Sequence, residues 1–83
     1  HQRDLNVWGY VLLGAGRHAD AIRVFRENVT YHPDDGDVYD SLGEALLASG
    51  DETGAIREYR RSLELDPTNE NARAVLARLR PAS

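Results

Sequence analysis

Residues 9–16 read GYVLLGAG and residues 43–50 read GEALLASG, so the same spacing of glycine and leucine returns after 34 residues. The segments AIRVFR (21–26) and AIREYR (55–60) follow at the same offset, and Pro33 falls on Pro67. Nine residues are identical between the two copies at this shift. A self-similar period of roughly 20–50 residues is typical of stacked repeats. The chain is therefore predicted to contain two copies of one structural unit.

Each copy carries the apolar spacing of two helices. The residues that share one face of the first helix are Leu5, Trp8, Leu12 and Ala15 in the first copy and Tyr39, Leu42, Leu46 and Ser49 in the second. Gly16 and Gly50 are predicted to end these helices in a left-handed conformation. Pro33 and Pro67 stop the second helices. The pattern predicts no strand and five helices, over residues 3–15, 18–31, 37–49, 52–65 and 70–80.

Small residues recur where two antiparallel helices of one copy would cross. Gly9 and Gly43 lie on the first helices, and Ala21 and Ala55 lie on the second helices. Small side chains allow a close approach, whereas larger ones would overpack the crossing at a cost of about 1–3 kcal/mol. Each copy is therefore expected to fold as a tightly packed helical hairpin.

The combined pattern resembles the tetratricopeptide repeat. The second copy carries the resemblance through Tyr39, Leu42, Gly43, Leu46, Gly50, Ala55, Tyr59 and Pro67. The resemblance implies a single all-α domain over residues 1–83. Its parts are one repeat over residues 2–35, a second over residues 36–69 and a C-terminal capping helix over residues 70–80, stacked as a right-handed superhelix.

The first copy departs from the family pattern at two neighbouring positions. Leu5 stands where the aromatic residue is usual, and Trp8 stands where leucine is usual. We interpret this as an exchange of large apolar residues between two core sites, so Trp8 is expected in the core. Asn28 and Ser62 stand where the family prefers alanine, so each is expected to need a hydrogen-bond partner in the helix crossing.

More narrowly, the chain resembles the short repeat appendages at the C-termini of some bacterial hydrolases and β-lactamase-like proteins. The segments FRENVTYHPDD, VYDSLGEALLASGD and AIREYRRSLELDPTN carry it. It implies that the chain is part of a longer bacterial protein, which agrees with a first residue other than methionine.

Composition excludes several classes of function. A net charge of −4 does not suit a nucleic-acid binder. The chain contains no cysteine, which excludes disulfides, thiol catalysis and zinc–thiolate sites. It contains neither a signal-peptide pattern nor an apolar run of about 18 residues. No nucleic-acid or membrane partner is therefore expected.

The acidic stretch YHPDDGDVYD, residues 31–40, raises the question of a metal site. A calcium-binding loop of the EF-hand type would need a glutamate six residues after its glycine. Here the next carboxylate after Asp37 lies only four residues beyond Gly36, so the spacing fails. Asp35 and Asp37 are instead predicted to cap the third helix, and His32 is predicted to lie at the end of the second helix. No metal ligand or cofactor-binding residue is expected.

Catalytic patterns are also absent from the sequence. Ser41 lies within a predicted helix and lacks the G-x-S-x-G elbow of a hydrolase nucleophile. No Ser/His/Asp arrangement is evident. The expectation is that the chain is not an enzyme and has no catalytic residue.

The resemblance to tetratricopeptide repeats implies a concave groove lined by the first helices. We call the following residues the candidate groove: Arg3, Asn6, Tyr10, Leu13, Asp37, Asp40, Glu44, Leu47, Asn71, Ala74 and Arg78. The carboxylate clamp of the family needs lysine or arginine plus asparagine in three successive repeats, and this chain has no lysine and no complete third repeat. Residues 36–69 instead carry eight carboxylates and three arginines. A ligand segment with basic and aromatic residues is therefore favoured, although the alternative that these are ordinary solvated helix faces stays open.

The two ends of the predicted stack differ. Arg73, Arg78 and Arg80 keep the last helix polar, as a cap requires. Val7 and Val11 fall on the side of the first helix where a preceding repeat would pack. Contact with an upstream domain of the same chain is predicted there, and the alternatives are a second copy of the chain or exposure to water at some cost in stability.

The sequence leaves two functions open. The favoured one is a non-catalytic module that binds a protein or peptide through the candidate groove. The other is a structural appendage that stabilises or dimerises a parent bacterial enzyme through Val7 and Val11.

Overall fold

A computed structural model describes the backbone of residues 2–79 and the side chains of residues 4–79. The chain forms five α-helices in this range, and no strand is present among the described residues. The helices are α1 (Gln2–Gly14), α2 (His18–Tyr31), α3 (Gly36–Ala48), α4 (Glu52–Leu65) and α5 (Glu70–Leu79). The prediction of an all-α fold with five helices is confirmed, and the described boundaries agree within one residue. The predicted end of the last helix at Arg80 lies outside the described residues.

Consecutive helices pack against one another along the whole chain, from α1 on α2 to α4 on α5. The turns after α1 and α3 depend on Gly16 (φ 78°) and Gly50 (φ 94°), which are in the left-handed region that glycine tolerates. The two predicted helix-ending glycines therefore perform the same conformational role in both copies.

One apolar core runs through all five helices. Its buried members are Leu12, Ala21, Phe25, Leu42, Ala45, Leu46, Ala55, Tyr59, Ala72 and Val75. Within each copy a glycine of the first helix lies against an aromatic ring of the second. Gly9 lies against Phe25, and Gly43 lies against Tyr59. The predicted close approach of these helices is therefore present in both hairpins.

The two polar residues at alanine positions of the family pattern are buried, as the sequence predicted for the helix crossing. The Ser62 hydroxyl donates to the carbonyl of Gly36 at 2.8 Å, which ties α4 to the start of α3. Asn28, at the equivalent position of α2, is also fully buried.

Equivalent hydrogen bonds to a proline carbonyl lie after α2 and after α4, but the donor side chains differ. The Tyr39 hydroxyl donates to the carbonyl of Pro33 at 2.7 Å. One period later, the Arg73 guanidinium donates to the carbonyl of Pro67 at 2.7 Å. Arg73 thus takes over the anchoring role of the aromatic residue that it replaces.

The expectation for Trp8 is wrong. Its side chain is 54% exposed, whereas Leu42, the equivalent residue of the second copy, is 3% exposed. The physical reason is that α2 packs on α3, whereas α1 has no earlier helix against it among the described residues. Ala15 at the end of the same predicted face is exposed as well.

Candidate functional site

Polar side chains join α1 to α3 across the candidate groove. The Tyr10 hydroxyl donates to Glu44 Oε1 at 2.9 Å and lies 3.1 Å from Ser41 Oγ. The Ser41 hydroxyl in turn donates to Asn6 Oδ1 at 3.0 Å. Each of these contacts joins two residues that are between 31 and 35 positions apart in the sequence. The helices α1 and α3 therefore present their polar faces on the same side of the molecule.

Tyr10 is fixed at its ring and at its hydroxyl. The ring packs edge-on against Phe25, with a distance of 5.1 Å between ring centroids. Burial raises the pKa of Tyr10 to about 12, and the nearby carboxylates of Glu44 and Asp40 act in the same direction. The hydroxyl therefore keeps its proton at neutral pH and acts as a positioned hydrogen-bond donor.

A second set of hydrogen bonds joins α3 to α5 through Asp40. Its carboxylate accepts from Asn71 Nδ2 at 3.2 Å and 3.3 Å and from Asn69 Nδ2 at 2.8 Å. Asn69 also donates to Ser62 Oγ at 2.9 Å, and its Oδ1 accepts from the amide of Ala72 at 3.1 Å as the cap of α5. Asp40 is therefore held in place between α3 and α5.

Negative charge accumulates at the beginning of α3. Partial burial raises the pKa of the Asp37 carboxyl, and the carboxylates of Asp35, Asp40 and Asp66 raise it further. This end of the candidate groove is consequently an environment that would favour a cation.

The structure brings some residues of the candidate groove together. Asn6, Tyr10 and Glu44 belong to the α1–α3 network, and Asp40 and Asn71 form the α3–α5 link. The remaining described members lie on the same three helices without such bonds: Leu13, Asp37, Leu47, Ala74 and Arg78. The side chain of Arg3 lies outside the described residues.

Sequence reasoning missed three contributors to this surface. Ser41, which the sequence offers only as a nucleophile without an elbow, is a buried link between helices. Asn69 donates to Asp40, a contact that its position before the last helix does not predict. Asp66 was not selected, yet its charge acts on Asp37. The 34-residue spacing shows which helix carries a residue, but it contains no signal for hydrogen bonds between copies.

A second surface lies on the outer side of α1. We call Val7, Trp8 and Val11 the N-terminal edge, and these side chains are 58%, 54% and 53% exposed. They lie at spacings of three and four residues, so they form one apolar stripe on the helix. Large apolar side chains that cluster on a surface commonly mark a contact site.

The stretch 31–40 forms the joint between the copies. Asp35 caps α3, and its carboxylate accepts from the amide of Asp37 at 2.9 Å. Among the described side chains, no group of three or more His, Cys, Asp or Glu residues is placed to hold a metal ion. None of the helices between residues 2 and 79 is long and apolar enough to cross a membrane.

Comparison with known proteins identifies one family. The family model described as "Tetratricopeptide repeat" matches residues 6–70. The chain is 37% identical over 67 residues to the Hsp70-Hsp90 organizing protein of Triticum aestivum. These aligned residues make up 81% of this chain and 12% of that protein. It is 36% identical over 62 residues to the small glutamine-rich tetratricopeptide repeat-containing protein 2 of Mycosarcoma maydis, covering 75% of this chain and 18% of that protein.

A third relative is much longer. Superkiller complex protein 3 of Homo sapiens is 34% identical over 59 residues, which are 71% of this chain and 4% of that protein. The chain thus spans less than one fifth of the length of each of these relatives.

Proposed function

This chain belongs to the tetratricopeptide repeat family, and we propose that it is a non-catalytic module that binds a peptide segment of another protein across α1, α3 and α5. The family consists of helical repeats used for protein interaction. One relative is named for organizing Hsp70 and Hsp90, and another is named as part of a complex. These names support protein binding as the class of function.

The observation that carries the proposal is the pair of hydrogen-bond networks across the first helices. Tyr10 binds Glu44 between α1 and α3, and Asn71 binds Asp40 between α3 and α5. A ligand that binds an already ordered surface loses less entropy than one that must order it. These networks support a surface that is in place before any peptide arrives.

The charges of this surface favour a basic peptide with aromatic residues. Asp37 and Glu44 are exposed on α3, and partial burial together with nearby carboxylates raises the pKa of Asp37. A cation placed there would relieve the repulsion between carboxylates. Leu13 and Leu47 are half-buried on the same helices and offer apolar contact beside the charges.

Charge reversal tests this proposal. The probes are two labelled peptides of equal length, one alternating arginine with phenylalanine and the other alternating glutamate with phenylalanine. Fluorescence anisotropy is expected to show binding of the arginine peptide only. The double variant Asp37→Arg and Glu44→Arg is expected to weaken that binding at least about ten-fold, because opposite charges become like charges.

A matched control separates local charge from net charge. The variant Glu27→Arg and Glu52→Arg makes the same change in charge on α2 and α4, where both residues are exposed. It is expected to bind the arginine peptide nearly as well as the wild type. Equal binding of both peptides, or equal weakening by both double variants, would show that the candidate groove is not the binding surface.

A second function is favoured by the exposed N-terminal edge. In this reading the chain is a structural appendage that stabilises or dimerises a parent protein, and the bacterial enzyme suggested by the sequence resemblance stays a prediction. Val7→Asp with Val11→Asp is expected to reduce the stability of such a parent strongly, while the variants of the exposed residues Asp37 and Glu44 change it much less. The opposite pattern would favour peptide binding.

A further inference from the structure

Arginine occupies the same two exposed positions of the second helix in both copies. The 34-residue shift carries Arg23 and Arg26 of α2 onto Arg57 and Arg60 of α4, and all four residues are exposed. The other described residues that are exposed and identical in both copies are the helix-ending glycine and the proline. Turn geometry explains the glycine and the proline. The packing of the core does not require the arginines.

On α2 the chain supplies a carboxylate to its own arginine pair. Asp20 Oδ1 lies 3.2 Å from Arg23 Nη1, three residues further along the helix. The position of α4 that is equivalent to Asp20 is occupied by Gly54, which has no side chain to pair with Arg57. The two copies therefore carry the same arginines in different electrostatic surroundings.

The carboxylates near the arginine pair of α4 leave most of its N–H donors unused. Arg57 Nε lies 3.8 Å from Glu58 Oε2, which is longer than the roughly 2.7–2.9 Å of a charge-assisted hydrogen bond. The carboxylate of Glu64 is bound by Arg61 at 3.1 Å. No ion pair joins Arg60 to another side chain in the described part of the chain. The guanidinium groups of Arg57 and Arg60 are thus available to an anion.

The second copy adds a hydroxyl beside this pair. Thr53 stands where the first copy has Ala19, and it lies one helical turn before Arg57. The described residues that line a groove of about 410 Å³ are Thr53, Ile56, Arg57 and Arg60. This volume is within the roughly 300–1,000 Å³ of small-ligand clefts. One hydroxyl and two guanidinium groups therefore face the same open space.

We propose that Thr53, Arg57 and Arg60 form a site on α4 that binds the phosphate of a phosphorylated serine or threonine in a partner protein. We call these three residues the α4 phosphate site. Guanidinium groups bind phosphate oxygens through paired N–H donors, and a hydroxyl supplies a further donor. Ile56 is half-buried in the same groove and offers an apolar contact to a residue next to the phosphorylated one. This contact favours a peptide over free phosphate.

A phosphate suits this site better than a carboxylate does. The chain already places the carboxylates of Asp20 and Glu58 beside its arginines, and exposed pairs of this kind contribute little. A carboxylate from a partner would gain no more than these groups gain. A phosphate carries a charge of about −1.5 to −2 at neutral pH and three acceptor oxygens, so it can bind both guanidinium groups at once. The net charge of −4 disfavours a nucleic acid as the source of the phosphate.

The α4 phosphate site is separate from the candidate groove. The described groove residues lie on α1, α3 and α5, whereas this site lies on α4. Ala55 and Tyr59 are buried in the core on the opposite face of the same helix. Phosphate binding is therefore a function beyond the proposed one and does not depend on it.

Binding of a phosphopeptide to the full chain tests the α4 phosphate site. The probe is a labelled peptide of glycine and leucine with one central phosphoserine, and two comparison peptides carry aspartate or serine at that position. Fluorescence anisotropy is expected to show the phosphoserine peptide binding at least about ten-fold more tightly than the aspartate peptide, because only the phosphate reaches both guanidinium groups. Arg57→Gln with Arg60→Gln is expected to weaken this binding at least about ten-fold, and Thr53→Val is expected to weaken it several-fold.

The matched control removes the same charge from the first copy. Arg23→Gln with Arg26→Gln is expected to bind the phosphoserine peptide nearly as well as the wild type. Circular dichroism should show unchanged helicity in both double variants, since every substituted residue is exposed. Equal weakening by both double variants would overturn the proposal in favour of net charge. Equal binding of the aspartate and phosphoserine peptides would overturn it as well.

Two further measurements identify what binds and where it binds. Inorganic phosphate that displaces the labelled peptide at about equal concentration would overturn a peptide as the ligand. The double variant Asp37→Arg and Glu44→Arg is expected to bind the phosphoserine peptide at least as well as the wild type. Weaker binding by this variant would place the peptide in the candidate groove and overturn the α4 phosphate site. Failure of the arginine peptide to bind the candidate groove would not affect these measurements.

Discussion

Gly9 and Gly43 show how single residues set the distance between helices. A Cβ added at Gly43 would lie 2.9 Å from two ring atoms of Tyr59, which is closer than carbon atoms pack. At Gly9 the added carbon would meet the ring of Phe25 at even shorter distances. Each hairpin therefore requires glycine because an aromatic ring occupies the space that a side chain would fill.

The variant Gly43→Ala tests this requirement. It is expected to lower the free energy of unfolding by about 1–3 kcal/mol, because the buried Tyr59 ring has to move in a packed core. Urea denaturation followed by circular dichroism measures the change. A variant as stable as the wild type would show that the crossing of α3 and α4 can accommodate an additional methyl group.

Gly14→Ala provides the matched control. No atom outside its immediate neighbours lies within 4 Å of the Cβ that alanine would add there. The substitution is expected to leave stability unchanged or to raise it by up to about 1 kcal/mol, since alanine is the better helix former.

At the scale of elements, three of the four helices whose preceding residue the structure describes begin with the same device. Asp35, Asp51 and Asn69 precede α3, α4 and α5, and each side-chain oxygen accepts from a backbone amide of the first turn. α2 differs, because Arg17 stands at the equivalent position and makes no side-chain cap. Arg17 instead forms an ion pair with Asp20 of the first turn at 2.6 Å.

Asp51→Ala is expected to destabilise the protein by about 0.5–2 kcal/mol, because the amide of Gly54 loses its acceptor at 2.8 Å. Thermal unfolding followed by circular dichroism measures the loss. Arg17→Ala at the equivalent position removes no cap and is expected to change stability by less than about 0.5 kcal/mol. Equal effects of the two variants would mean that the cap of α4 does not stabilise the protein.

At the scale of the whole molecule, a shared core and an uneven charge distribution coexist. The core residues come from all five helices, so the chain is expected to unfold as one unit. The carboxylates of Asp35, Asp37, Asp40 and Asp66 interact at one end of the candidate groove. Their mutual repulsion opposes folding at neutral pH.

The pKa of Asp37 is raised by partial burial and by these neighbouring carboxylates, which predicts that Asp37→Asn stabilises the protein at pH 7. The raised pKa means that ionisation of Asp37 costs more in the folded state than in the unfolded state. The cost is present above the folded pKa and vanishes below the unfolded value of about 4. The gain is expected to reach up to about 0.5 kcal/mol, because the exposed carboxylate is screened by water. It should disappear at about pH 3, below the unfolded pKa, and shrink in high salt.

Glu52→Gln gives the opposite sign as a control. Glu52 is an exposed carboxylate in the first turn of α4, where negative charge favours the helix dipole. Its removal is expected to lower the urea midpoint slightly at pH 7. If both neutral variants stabilise the protein equally, net charge and not the Asp37 environment is responsible.

The sequence by itself determined the helices, their order and the helix crossings. Gly16, Gly50, Pro33 and Pro67 are local signals, because turn conformation depends on the residue at the turn. The 34-residue shift also placed every described member of the candidate groove on a first helix or on α5, its equivalent at the end of the stack. Such features follow from spacing, which a sequence displays directly.

Only the tertiary structure decided which of these residues touch and which remain exposed. The bonds from Tyr10 to Glu44 and from Asn69 to Asp40 join different parts of the stack, and neither a period nor a propensity encodes them. Trp8 is the clearest case, since its apolar character and spacing predicted a core residue and it is 54% exposed. Burial depends on whether another helix lies against a side chain, and that is a property of the assembled stack rather than of the residue.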